Sequence, residues 1–161
     1  MRLTAVMVPR VANGEELDTR LAQDHGLAVE YERAYSFAGH DGKMRIFVYQ
    51  NTSDAGNYAT TIGTTAFDLD ITRSRKFGTA KDGAGINFEQ EPSPDAGLFA
   101  RGGWNDGKTE TWAFTEIDRA ASVGGTVKGR SWQRHDDAAG VALLLNSISH
   151  DHELYLSKGG C

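Results

Sequence analysis

Gly102-Gly103-Trp104-Asn105-Asp106-Gly107-Lys108-Thr109 satisfies the spacing G-x-x-x-x-G-K-[ST]. In a phosphate-binding loop, backbone N–H groups wrap the phosphates, the lysine reaches the β- and γ-phosphates, and the hydroxyl meets Mg²⁺. The context opposes that chemistry. The loop should follow a buried parallel strand, yet Leu98-Phe99-Ala100-Arg101 carries a charge and follows a turn. Trp104 is bulky inside such a loop, and the apolar run Val141–Leu145 ends in Asn146 where a metal-binding Asp would be needed. Asn105-Asp106-Gly107 reads better as a turn.

The other candidate sites are also poor. Asp68, Asp70, Thr72 and Ser74 resemble the start of a calcium loop. Arg73 then stands where that loop needs glycine, and Thr79 where it needs a bidentate glutamate. His150-Asp151-His152 is read as solvated side chains after a strand rather than as a metal site. His25, His40 and His135 are isolated, and no Ser/His/Asp set has supporting spacing. Neither a catalytic residue, a metal nor a cofactor is expected.

Charged and aromatic residues of shared parity remain: Glu30 and Glu32; Lys43 and Arg45 with Phe47 and Tyr49; Asn87, Glu89 and Glu91; Phe99 and Arg101. Sugars are held by polar groups bonding hydroxyls and by flat aromatic surfaces against CH faces. A wall carrying these residues favours neutral, hydroxyl-rich solutes. On a plain solvated sheet the same face would simply be the outside of a soluble all-β binding module.

Only strands can put such residues on one side, because successive side chains alternate between faces. Ala84, Ile86 and Phe88 oppose Asn87, Glu89 and Glu91, and after the turn Pro94-Asp95-Ala96-Gly97 the series Leu98, Ala100, Gly102, Trp104 opposes Phe99, Arg101, Gly103, Asn105. The segments 27–38 and 43–51 alternate likewise around Gly39–Gly42, with Arg33 as a misfit; Asp41-Gly42 signals the hairpin. Further strands are expected at 3–8, from Thr115 to Lys128 and at 138–148. A short helix is expected after Asn13, with Leu17 and Leu21 on one face and Gly26 ending it. Ser149–Lys158 suggests one or two helical turns.

That makes about seven antiparallel strands, with Glu89 and Arg101 as candidates for a cross-strand pair. The connections at 39–42, 92–97 and 129–136 are short; those at 9–26, 52–80, 106–114 and from 149 onward are longer. Outer-membrane barrels have short periplasmic turns and longer extracellular loops, which gives each set its side. The apolar parity is thin and Gly-rich with an aromatic at an end, as in a lipid-facing strand.

Composition narrows the classes. The chain has 161 residues, 39% of them hydrophobic, and a mean hydropathy of −0.46. Its longest apolar run is far short of the roughly 20 residues a membrane helix needs. A net charge of −5 argues against a nucleic-acid partner. The single cysteine, Cys161, offers no disulfide.

The segment Gly85–Arg119, GINFEQEPSPDAGLFARGGWNDGKTETWAFTEIDR, resembles the second half of the OprB-type carbohydrate-selective porins of bacterial outer membranes. Ser122–Gly160 continues the likeness in order, and it extends more weakly to the N-terminus. WNDGKTE and FTEIDR are its most specific parts. The resemblance implies passive diffusion of sugars through a sixteen-stranded transmembrane β-barrel embedded in outer-membrane lipid, with no enzymatic step. The pore wall would carry Arg101, Glu89, Asn87, Phe99, Glu91, Arg45, Lys43, Tyr49, Glu30 and Glu32. Met1-Arg2-Leu3 leads straight into alternation without a signal peptide, and no aromatic-ended final strand closes the chain. Residues 1–161 are therefore expected to be one partial barrel domain lacking the signal peptide, the N-terminal strands and the final strands. A homo-oligomer of the full-length form is left open.

Overall fold

The computed structural model describes residues 1–20, 22–64, 69–111 and 116–160. Leu21, Asp68, Thr115 and Cys161, which entered the sequence reading, lie outside these residues. Seven strands form one antiparallel sheet in chain order: β1 (Arg2–Val6), β2 (His25–Phe37), β3 (His40–Ala55), β4 (Lys76–Ser93), β5 (Ala96–Asn105), β6 (Arg119–Lys128) and β7 (Ala138–Ser147). Two helices, α1 (Tyr58–Thr64) and α2 (His150–Ser157), lie in the connections. The all-β meander of seven strands is as expected. Each strand pairs with its chain neighbours, and β1 and β7 end the sheet.

Three local readings change. Among the described residues no helix follows Asn13; Asn13 has a φ of 58°, and Pro9 bridges Leu17 in an antiparallel loop. Without a packing partner so short a helix gains too little to offset its nucleation cost. The β2–β3 turn is Ala38-Gly39, with φ of 51° and 80°, between the paired Phe37 and His40. Two positive φ values match the right-handed twist of the flanking strands, and Asp41-Gly42 sits inside β3. The long connection shrinks to 56–75, because β3 runs to Ala55 and β4 begins at Lys76.

β3 and β4 have 16 and 18 residues, beyond the roughly 9–11 a membrane crossing needs. Their surplus ends carry a layer built from the long connections. Buried apolar residues gather there, in the cluster Tyr58, Ile71 and Tyr155 with Ile62 and Leu69 against it. The sheet itself has no apolar core. Leu3, Leu27, Ile46, Val48, Ile86, Leu98, Val123 and Leu143 are all exposed.

Candidate functional site

Register decides which side chains meet, since a slip of one residue would exchange the faces. Glu32 pairs with Arg45, Arg45 with Asn87, Asn87 with Arg101 and Arg101 with Ser122. The neighbouring row runs Lys43, Glu89, Phe99, Gly124. On the other side run Arg2, Glu30, Phe47, Gly85 and Gly103, followed by Tyr49 opposite Gly83. One face thus collects nine of the ten expected residues. Glu91 lies next to them, beyond the last β3–β4 pair, and is exposed. Ile86 pairs with Gly102 and Ala84 with Trp104 on the opposite face, so the parity expected for this hairpin holds.

Arg45 is the centre of the polar row. Its Nε donates to Glu32 Oε2 at 2.6 Å and its Nη1 to Glu89 Oε1 at 2.8 Å. Asn87 Nδ2 adds a bond to Glu89 Oε1 at 3.2 Å. Arg2 donates to Glu30 at 2.5 Å and reaches Glu32 at 3.4 Å. Arg2 was missed because it heads a segment that reads as apolar, although Arg2 and Thr4 share the polar parity against Leu3 and Ala5.

The expected Glu89–Arg101 pair does not form. Arg101 lies opposite Asn87, Glu89 is taken by Arg45, and the Arg101 guanidinium sits over the Phe99 ring, 5.0 Å from its centroid. Among the described residues no carboxylate pairs with Arg101. Arg2, Lys43, Arg45 and Arg101 interleave with Glu30, Glu32 and Glu89, and Asp41 and Glu91 lie at the band's edge, so charges of both signs share this face.

The aromatics lie flat because their cross-strand neighbours lack a Cβ. A side chain at Gly83 would strike the Tyr49 ring, one at Gly85 the Phe47 ring, and one at Gly124 the Phe99 ring. Each aromatic covers the bare backbone of a glycine, a known way to stabilise glycine in a sheet. Phe47 and Tyr49 stack at 6.3 Å. Beyond β5 this face turns small, with Ala120, Ser122 and Gly124, and Leu144 is its one large apolar exception among the described residues.

The long connections join above β3 and β4. Arg75 donates to both oxygens of Glu110, Nε at 2.6 Å and Nη2 at 3.0 Å, and also to Ala12 O. Glu110 Oε1 accepts in addition from the Gly56 N–H. His152, expected to be solvated, is buried. Its ring stacks on Tyr58 at 4.4 Å and its Nδ1 lies 3.0 Å from Asp118 Oδ2. Burial would raise the Asp118 carboxyl, but the Ser149 N–H, the His152 ring and the charge of Lys81 together hold it below the ordinary carboxylate value.

The phosphate-loop reading fails here. Gly102–Asn105 belongs to β5. The following N–H groups are spent internally, Asp106 on Asp82 O, Gly107 on Asn105 Oδ1, and Lys108 on Asp106 Oδ1. Among the described residues no three His, Cys, Asp or Glu side chains are grouped to hold a metal.

The description "Carbohydrate-selective porin, OprB family" belongs to a family model that matches residues 8–160. No curated protein matches the chain. The solved structure of Pseudomonas putida OprB at high pH superposes with a TM-score of 0.68 at 19% identity, over 91% of this chain and 35% of that one. This chain therefore spans about a third of that protein's length, and the likeness establishes a shared barrel-wall fold.

Proposed function

Because the chain belongs to the OprB family of carbohydrate-selective porins, we propose that it forms part of the wall of a sixteen-stranded outer-membrane barrel through which sugars diffuse. The observation that carries this is the two-faced sheet. One face exposes a largely apolar surface suited to lipid, interrupted by Arg33 beside Met44 and by Arg119 beside Trp104, an aromatic near a strand end. The other presents a polar band that carries charges of both signs.

On that band, paired carboxylates and guanidinium groups offer acceptors and donors at fixed spacing. Sugar hydroxyls exchange water for these groups one at a time. Phe47, Tyr49 and Phe99 offer their flat faces to the CH side of the ring. Such contacts let a solute enter and leave, as permeation requires. Arg101 has N–H donors not committed to a carboxylate, in a rigid planar fork. Glu91 and Lys43 flank its row. Neither a catalytic step nor a cofactor enters this reading. The short turns at 38–39 and 94–95 would face the periplasm and the loop layer the exterior.

Sugar block of ion current in planar bilayers tests the reading. Arg101→Ala in the full-length porin should weaken the block several-fold while the protein still folds. Unchanged sugar affinity would make Arg101 merely part of the wall. Conductance without any sugar block, in the wild type, would refute the sugar-porin reading itself.

A further inference from the structure

The polar face of the sheet does not end at Tyr49 and Gly83. One step further Asn51 pairs with Lys81, and then Ser53 with Thr79. Toward β6, the Asn105 N–H bonds Asp118 O. Residues directly opposite in a ladder share a face, so Ser53, Lys81 and Asp118 carry the face of Arg45 and Asn87 on to the strand ends. There it changes from open to closed. Lys81 is 7% exposed, Ser53 4% and Asp118 2%, whereas Ala80 and Asp82, of the other parity, are exposed. The cover therefore lies on the polar side of the sheet and not beyond its rim.

Lys81 reaches into that cover. Its Nζ donates to Thr109 O at 3.0 Å and to Glu110 O at 3.4 Å, with Asp118, Asp106 and Glu110 as counter-charges. The Asp106 N–H bonds Asp82 O and ties the start of the same segment to β4. Residues 106–111 are also held from their other side. The Tyr58 N–H donates to Lys108 O, the Glu110 N–H to Gly56 O, and Ser149 Oγ to Gly107 O at 2.6 Å. The segment thus lies between the sheet and the starts of α1 and α2. Lysine is rarely buried, and burying an ammonium is costly unless it is hydrogen-bonded. An apolar side chain would serve packing alone. Two consecutive carbonyls gathered on one ammonium fix the position of a backbone instead.

Resting on the sugar-porin reading, we propose that Lys81 is a positioning residue for permeation: its ammonium fastens residues 106–111 over the polar face, where they narrow the mouth of the pore and limit the size of sugar that enters. A solute coming from the loop side must pass this segment before it meets Arg45, Asn87 and Arg101. Lys81→Met keeps the length and the apolar stem but removes the donors. The two carbonyls then lose their partner, the segment stays attached at Gly56 and Tyr58, and the mouth widens.

Liposome swelling with the full-length porin tests this, with a monosaccharide and a trisaccharide of the same sugar. Lys81→Met should raise the trisaccharide rate several-fold relative to the monosaccharide rate. The ratio does not depend on how much protein inserts, so a merely structural role would lower both rates together and leave it unchanged. Lys81→Arg keeps the charge and the donors and should hold the ratio near the wild-type value. If Lys81→Met does not fold, Ser149→Ala, which frees Gly107 O, should raise the same ratio. An unchanged ratio in the variant that folds would overturn the proposal and leave Lys81 as a packing residue. A rise as large in Lys81→Arg as in Lys81→Met would overturn it equally, since the donors would then not matter. A wild type that admits neither sugar would overturn the sugar-porin reading, and this proposal with it.

Discussion

Arg45 holds two carboxylates from two different strands at 2.6 and 2.8 Å. All three side chains keep contact with water, so the network contributes little to stability. Its consequence is for the field on the polar face. Arg45→Leu would leave Glu89 without its guanidinium and Glu32 with only the longer contact to Arg2, and would make the band more negative by one charge. Reversal potentials under a KCl gradient should shift toward cation selectivity, with folding unaffected. An unshifted potential would mean that this band does not line the conducting path. The second titratable contact at this scale is Asp118 with His152 and the Ser149 N–H. The folded carboxyl lies below its unfolded value of about 3.9. Its contribution is therefore present above that value and lost as the pH falls through the folded value, below about 4. Exchange of α2 amides should accelerate in that window, and Asp118→Asn should already show fast exchange at neutral pH.

At the scale of elements, flat aromatics depend on glycine across the strand. Gly124→Val places a branched side chain where the Phe99 ring lies. The ring must tilt away from β6 and Arg101 loses its platform, at a cost of roughly 1–3 kcal/mol as in other overpacked sites. Unfolding in urea from lipid vesicles reads the cost, and sugar block reads the lost platform. The loop layer hangs on Arg75 and Glu110, which tie the chain near Ala12, Gly56 and Glu110 together. Glu110→Ala leaves a half-buried guanidinium without its partner. Protease cleavage between residues 56 and 75 should increase while the strands stay protected. Equal cleavage rates would assign the layer's cohesion to Tyr58, Ile71 and Tyr155 instead.

At the scale of the whole molecule, most of the buried apolar side chains among the described residues sit in the connections and most of the large exposed ones on the sheet. That is the reverse of a soluble sandwich, in which a second sheet would cover the face. An apolar surface of this extent needs a cover, and lipid supplies it in a barrel wall. Single-tryptophan protein retaining Trp104, which is half exposed on that face, should be quenched by brominated lipid tails. Absence of quenching would contradict a lipid-facing Trp104. Charge on the same face should also be costly. Ile86→Lys is expected to destabilise by about 2–4 kcal/mol if it sits near the midplane, measurable by urea titration in vesicles.

The alternation of Ile86, Asn87, Phe88 and Glu89 by itself determined the strands, their number and which residues share a face, because a period of two is a local property of the chain. The polar row, apart from Arg2, was legible for the same reason. Which charges pair was not, because pairing depends on registers and side-chain reach across several strands: Glu89 reaches Arg45 rather than Arg101. The turn at Ala38-Gly39 rather than Asp41-Gly42 was settled by the β2–β3 register. The burial of His152 and Glu110 was likewise beyond reach, since each is met by residues distant in sequence. Local periodicity carries no information about where a long loop returns to the sheet; only the packing of 56–64, 69–75, 106–111 and 148–158 over the strand ends decided that.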